Sequence, residues 1–365
     1  MIKRRKRNKF DRAAKQIKNE IKKRSKLRKV NVEFFSSGCT MINLAVSGKR
    51  KNGVPRCRVT NFVGDGSSGK TLIALETCLS FLKTIPKMKS KIFGSNKVPK
   101  VIYNNGEGVM DFPLEKMYGQ KFIDSIKWRR SKTIESVGRD YMEECKKLKE
   151  NEALLYIIDS WDSFKSIHDT KILEEKDEDI IKGFNMKKQQ FAWSFFSEAC
   201  EMLEDNNTDA TLIVISQTKQ KIGVVFGKKK YRTGGDALNF YTHLVPWIRV
   251  VQKLSKTKNK ESKVYGMHCE LKVERSKVGL SFRSAEFAFL FDYGMDDILS
   301  NAMYLKKKGK KKWEGIKLEG KLHDFCLAVE ERGLQKKLAK EVEKIWNDIE
   351  DLFQEEVEER EYRGL

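Results

Sequence analysis

The chain predicts an α/β fold built on a mostly parallel, twisted sheet flanked by helices. Three observations lead to this. Short apolar runs such as Ala153–Asp159 and Thr211–Ser216 have the continuous Val/Ile/Leu character of strands buried on both faces. They alternate with amphipathic stretches, among them Thr71–Leu82 and Gln189–Leu203, whose apolar residues recur at helical spacing. A glycine-rich turn, Gly64–Thr71, stands between one such strand and its helix, and strand–helix alternation is the order a parallel sheet requires.

Taken in order, residues 1–29 predict a basic helix, with Ile2, Phe10, Ala13, Ala14, Ile17 and Ile21 recurring at helical spacing on one stripe. That stripe is too thin to fold alone and needs another body to pack on. Residues 30–58 form a mixed lead-in segment with turn signals at Ser36–Gly38 and Gly53–Pro55. Arg58–Val63 reads as a strand, Thr71–Leu82 as a helix and Lys100–Asn104 as a short strand. A helix-rich stretch holding Tyr141–Glu150 follows, then the strand Ala153–Asp159, the helix Gln189–Leu203 and the strand Thr211–Ser216. Leu244–Val251, Tyr265–Val273 and Ala285–Phe291 are further strands. Beyond about residue 294 the text becomes helical and charge-rich. The expected division is therefore a basic N-terminal helix at 1–31, a core at 32–293, and a small C-terminal α+β domain with an acidic tail at 294–365.

Charge bounds the partners. The chain has 365 residues and a formal net charge of +23, which favours a polyanionic partner, nucleic acid before an anionic membrane surface. Residues 1–29 carry 15 Lys/Arg against Asp11 and Glu20, whereas residues 341–365 carry ten acids against three bases. The seven cysteines are scattered without a C-x-x-C pair, which predicts reduced thiols rather than a zinc site or disulfide framework. No apolar run approaches the roughly 18 residues that span a membrane, and the first residues lack the apolar block of a secretory signal. The expectation is a cytoplasmic protein without a membrane partner.

Gly64, Asp65, Gly66, Ser67, Ser68, Gly69, Lys70 and Thr71 form a G-x-x-x-x-G-K-T phosphate loop in the strand-to-helix context that makes the motif specific. The glycines let consecutive N–H groups turn toward phosphate oxygens, and the helix N-terminus adds positive potential. Lys70 is then placed for the β and γ phosphates of ATP, and Thr71 for Mg²⁺. Asp159, a carboxylate at the end of an apolar strand, is the candidate second metal residue. Glu107 lies just past a strand, 37 residues after Lys70. A carboxylate there is placed to polarise water, and the residues alone leave it open between that role and a solvated loop acid.

The text at 211–241 is more specific. Lys221–Gly227 and Thr233–Tyr241 resemble the second DNA-binding loop of the RecA family of homologous-recombination ATPases, at close to the same spacing. The lead-in segment from Ser36 and the residues Gly108–Asp111 after Glu107 are similar to that family as well. The likeness covers roughly residues 32–292. It implies a RecA-like P-loop NTPase core. It also implies that Glu107 is the catalytic glutamate, that Asp111 belongs to the nucleotide site, and that Gln217 senses the γ-phosphate and relays nucleotide state to the DNA loop. Arg275 and Lys277 match the basic pair that reaches the ATP of a neighbouring protomer, and Phe240 matches an inter-protomer contact. Several positions depart from the pattern: Cys57 stands where the family commonly has glycine, and Ser216 replaces the usual asparagine before the glutamine. Such drift resembles phage or mobile-element members similar to the UvsX group.

Independently of the likeness, 219–235 has what a single-strand binder needs. Lys219, Lys221, Lys228, Lys229, Lys230 and Arg232 supply phosphate contacts. Gly223, Gly227, Gly234 and Gly235 allow close backbone approach. Ile222, Phe226 and Tyr231 offer surfaces for bases without reading sequence. A first DNA loop is expected within 166–190, and Lys306–Lys312 is a further basic cluster. The expected activity is a DNA-dependent ATPase that polymerises head to tail on single-stranded DNA and exchanges strands with homologous duplex, aided by single-strand-binding and loader proteins. The alternatives are a RecA-core ring helicase and a recombination mediator without turnover.

Overall fold

In the computed structural model, residues 32–108, 110, 113–168, 184–204, 208–220, 230–232 and 235–358 are described. The expected helix at 1–31, Asp111, residues 169–183 of the first loop, the 221–229 and 233–234 parts of the second, and the last seven residues lie outside them. Residues 34–365 make one compact unit.

The centre of that unit is a ten-stranded sheet. In chain order its strands are β1 (Val59–Gly64), β2 (Val98–Asn105), β3 (Ile126–Arg129), β4 (Glu152–Asp159), β5 (Ala210–Gln220), β6 (Lys230–Arg232), β7 (Leu244–Lys258), β8 (Glu261–Ser276), β9 (Ser284–Leu290) and β10 (Gly294–Asp296). Their order in space is β10-β9-β8-β7-β1-β5-β4-β2-β3, with β6 paired to β5. All pairings from β7 through β1 to β3 are parallel, and the flank from β7 to β10 is antiparallel. The expected parallel core is present, with its first strand in the middle.

Alternation explains why the central strands read as continuous apolar runs. On β4, Leu155 and Ile157 face one apolar cluster, while Leu154, Tyr156 and Ile158 face the other. The first cluster takes in α1 (Thr40–Ser47), α2 (Lys70–Thr84), and side chains of α6 (Asp297–Lys307), α7 (Leu322–Glu331) and α8 (Gln335–Glu358). The second takes in α3 (Ile134–Lys146), α4 (Phe184–Glu204) and α5 (Gly235–Tyr241). No helix is long and apolar enough to cross a membrane among the described residues.

Four features differ from the sequence expectation. The lead-in segment contains α1, whose start is capped from a distance: Thr40 N–H and its hydroxyl donate to Asp297 at 2.6 and 2.8 Å. The helix expected at Tyr141–Glu150 is α3, seven residues earlier at its start, opened by a Thr133–Ser136 capping box. The strand β3 precedes it. The strands at Leu244–Val251 and Tyr265–Val273 are the inner halves of a hairpin that runs to Lys258 and back from Glu261. Its outer half is exposed and lysine-rich, so backbone pairing rather than an apolar face defines it. At Cys57 the backbone adopts φ 56°, a left-handed conformation that favours glycine.

The outer strand β3 is tied down by charge. Lys100, Lys127 and Arg129 converge on buried Glu144 at 2.7, 2.6 and 3.4 Å. Burial raises the Glu144 carboxyl, but Lys100 and Lys127 outweigh it and hold the group at about 2. A depressed carboxylate stabilises the fold above its unfolded pKa and loses that contribution as pH falls toward its folded value. Glu144→Gln should therefore cost about 2 kcal/mol at pH 7, allowing for the partly exposed lysines. Denaturant melts of both proteins at pH 7 and pH 3 should show the difference shrinking at the lower pH. A difference that stays constant would remove the charge network as its cause.

Candidate functional site

β1 ends at Gly64 in the middle of the sheet, and α2 starts at Lys70. The turn between them is closed too tightly for side chains at two of its glycines. A Cβ on Gly64 would lie 2.5 Å from Ser68 Oγ and 2.6 Å from Ile248 O. Gly69 has φ 90°, and a Cβ there would lie 2.7 Å from the Phe289 ring. The turn opens onto a cleft of about 830 Å³, lined by Gly66–Leu72 and by Asp159, Glu107 and Gln217. Met117, Met267, Leu290 and Phe291 give it an apolar wall. That volume and mixture suit a ligand with one charged and one flat apolar end.

Lys70 donates from Nζ to Asp65 O at 2.6 Å and approaches Ser68 Oγ at 3.4 Å. Burial lowers its pKa, and the charges of Asp159 and Glu107 act the other way. Thr71 Oγ1 donates to Asp159 Oδ2 at 2.8 Å, and the Tyr103 hydroxyl donates to the same oxygen at 2.5 Å. Asp159 is buried, which raises its pKa against those two hydrogen bonds. Its other oxygen, Oδ1, is buried with no hydrogen-bond partner. A hard cation ligated by oxygen fits such an orphaned carboxylate oxygen next to a threonine hydroxyl. No group of three or more His, Cys, Asp or Glu gathers as a metal cage among the described residues.

Glu107 lies on the segment after β2. Its Oε1 accepts from Ser160 Oγ and from Gln217 Nε2, both at 2.8 Å. Gln217 sits on β5 directly opposite Gly64 in the parallel register, and its backbone N–H donates to Asp162 at 2.8 Å. The next residue, Thr218, donates its hydroxyl to the Asp65 carboxylate of the phosphate loop. Two consecutive β5 residues thus contact Glu107 and the phosphate loop, and β5 then leads through exposed Lys219 into the 221–229 segment.

A family model described as the RecA N-terminal domain matches residues 185–296. Protein RecA of Trichodesmium erythraeum (strain IMS101) is 27% identical over 289 residues, covering 77% of this chain and 71% of that protein. Protein RecA of Arthrospira platensis is 27% identical over 289 residues, covering 77% and 70%. Protein RecA of Gloeobacter violaceus (strain ATCC 29082 / PCC 7421) is 28% identical over 272 residues, covering 74% and 64%. Over about three quarters of its length the chain is similar to these RecA proteins. The matched 185–296 segment contains β5 to β10 and α5, hence Gln217, Phe240, Arg275 and Lys277.

Arg275 and Lys277 do not line the cleft. Register gives the reason. Val245 pairs with Arg275 on β8, and Leu244 pairs with Thr60 near the start of β1. The phosphate loop follows the other end of β1, where Gly64 pairs with Ile248. Four strand residues separate the two levels by about 13 Å. Lys277 Nζ donates to Phe240 O at 2.6 Å and lies 5.6 Å from the centre of that ring. Phe240 and Trp193 are exposed and stand 5.7 Å apart.

The second loop is described only at its ends. Lys219 is exposed, β6 pairs back on β5 through Lys230↔Gln220 and Arg232↔Thr218, and Gly235 opens α5 with φ 71°. Tyr231 is exposed. Arg232 departs from its expected role as a phosphate contact: its guanidinium donates to Asn61 and Asn239. Burial, then the charge of Arg275, lower its pKa to about 10. In this arrangement it braces the return of the loop onto β1 and α5. Lys221, Ile222, Gly223, Phe226, Lys228, Lys229 and Gly234 lie outside the described residues. Sequence reading also missed Tyr103, Ser160 and Thr218. Their only signal is position, beside or opposite the ends of β2, β4 and β5.

Proposed function

We propose that this protein is an ATP-dependent recombinase that forms a helical filament on single-stranded DNA and catalyses homologous pairing and strand exchange. The observation that carries the reading is the 2.8 Å Gln217–Glu107 hydrogen bond. It joins the carboxylate placed to act on water to the strand that runs into a basic, glycine-rich loop. In this reading ATP lies along the cleft with its phosphates on Gly64–Thr71 and its base on the apolar wall. Lys70 neutralises charge on the β and γ phosphates. Mg²⁺ held near Thr71 and Asp159 would supply charge neutralisation between the phosphate oxygens. Glu107 orients the attacking water and accepts its proton.

Gln217 has one side-chain amide and two claims on it. When a γ-phosphate is present the amide turns toward it and releases Glu107 for water. When the phosphate has gone, the amide returns to Glu107. Each move displaces the end of β5 and so changes how 219–235 grips DNA. Thr218, bonded to Asp65, couples the same strand to the phosphate loop. Coupling of this kind is reciprocal, so DNA that favours one loop position favours ATP. Arg275 and Lys277 reach the phosphates of the next protomer, which makes turnover depend on head-to-tail assembly. Residues 294–365 are read as an accessory domain.

Replacing Lys219, Lys221, Lys228 and Lys229 together by alanine should weaken single-strand binding and flatten its salt dependence. The log–log slope should fall by about 0.7 for each DNA phosphate that these lysines neutralise. Fluorescence anisotropy across a salt series measures it, and an unchanged slope would remove the loop from the DNA site. The activity itself is tested by strand exchange with ATP and either homologous or heterologous duplex, with electron micrographs taken in parallel. Joint molecules confined to the homologous duplex, together with filaments, support the reading. Closed rings and strand separation without pairing would favour a helicase.

A further inference from the structure

Tyr103 has no part in binding phosphate or activating water, yet it is fully buried and its hydroxyl ends on the metal-side carboxylate. It sits on β2, paired with Ile157 of β4, while Asn105 pairs with Asp159 itself. Its ring lies 5.3 Å from that of Trp128. The hydroxyl donates to Asp159 Oδ2 at 2.5 Å, and Thr71 Oγ1 donates to the same atom at 2.8 Å. Two neutral donors on one oxygen fix the rotation of the group, so that Oδ1, buried and without a partner, is the atom left for a cation or its water.

We propose that Tyr103 is a positioning residue for divalent-cation binding at Asp159, acting through Oδ2 to present Oδ1. Thr71 cannot do this alone. Once its own oxygen ligates a cation, its hydroxyl remains a donor to Asp159 but moves with the phosphate loop, whereas Tyr103 is anchored in the sheet independently of nucleotide. The inference rests on the ATP-site reading above and adds to it a buried support on which cation affinity depends. Partners behind a metal ligand are worth about 10–100-fold in affinity when removed, and Tyr103→Phe removes one hydroxyl while keeping the ring and its packing.

The test is Mn²⁺ binding to the full chain in the presence of ADP, followed by the loss of the free-ion electron paramagnetic resonance signal. This readout needs no turnover. Tyr156→Phe is the control. It deletes another buried tyrosine hydroxyl on the neighbouring strand, one that bonds Asn104 and Asp140 on the face away from Asp159. The expected result is Mn²⁺ binding weakened about 10–100-fold by Tyr103→Phe, with ADP affinity in the absence of metal unchanged and Tyr156→Phe close to the parent. Equal Mn²⁺ affinity for parent and Tyr103→Phe would overturn the inference. An equal loss in both variants would assign the effect to general loosening of the sheet and overturn it too. If the parent chain binds neither ADP nor Mn²⁺–ADP, the ATP-site reading itself falls and this inference with it.

Discussion

Glu107→Gln is expected to abolish DNA-stimulated ATP turnover while leaving nucleotide binding and assembly on single strands in place. The amide has the size of the carboxylate, and its oxygen can still accept from Gln217 and Ser160, which now hold Glu107 at 2.8 Å. It cannot take a proton from water. A positioned base contributes about 10²–10⁴-fold, or roughly 3–5 kcal/mol of barrier at 1.36 kcal/mol per tenfold. Glu107 is exposed, so the exchange is expected to change stability by less than about 0.5 kcal/mol. Steady-state hydrolysis with saturating single strands gives the first quantity, and titration with a fluorescent nucleotide gives the second. Turnover near the parent value would mean that another group orients the water. Failure to bind nucleotide would make Glu107 a structural member of the cleft.

Arg275→Ala with Lys277→Ala is expected to cost still more turnover, about 10³–10⁵-fold, the range for cations that meet transition-state charge from outside the phosphate loop. A single protomer should bind nucleotide as before, because neither residue lines its own cleft. The register sets Arg275 near the start of β1 and the phosphate loop at its other end, and in the proposed function assembly brings the two together. Lys277 also holds the Phe240 carbonyl at 2.6 Å, so the lysine variant should loosen the exposed Trp193–Phe240 pair as well. Comparing Arg275→Ala alone with the double variant, by hydrolysis and by light scattering of assemblies, separates charge delivery from packing. Full activity in the double variant would make the pair a local support of α5 and nothing more.

Much of the fold was legible because burial writes it into side chains. Ala153–Asp159 is apolar at every internal position since β4 is covered on both faces, and the strand begins one residue earlier than expected. The phosphate loop was legible because its motif needs glycine at Gly64 and Gly69, where a Cβ would meet close contacts. Features held by backbone or by distant partners were not. The Ile126–Arg129 strand has two basic residues in four, and its pairing to β2 rather than its composition defines it. The outer half of the β7–β8 hairpin is lysine-rich and open to solvent. Helix α1 takes its cap from Asp297, 257 residues away. In the site, the residue types could be read but not their contacts: Gln217 and Glu107 are 110 positions apart. Arg232 looked like one more loop cation, and only the fold turns it inward onto Asn61.

The central claim is that each ATP site is half of one protomer and half of the next. Mixing tests it most directly. Lys70→Ala removes the phosphate-loop half and keeps Arg275 and Lys277; the Arg275→Ala, Lys277→Ala variant does the reverse. Each alone should be inactive. Hydrolysis measured on single-stranded DNA as the two are titrated together should rise above the sum of the separate proteins, because a Lys70→Ala protomer can lend its basic pair to the intact loop beside it. A mixture that shows no more turnover than its components would contradict a shared site.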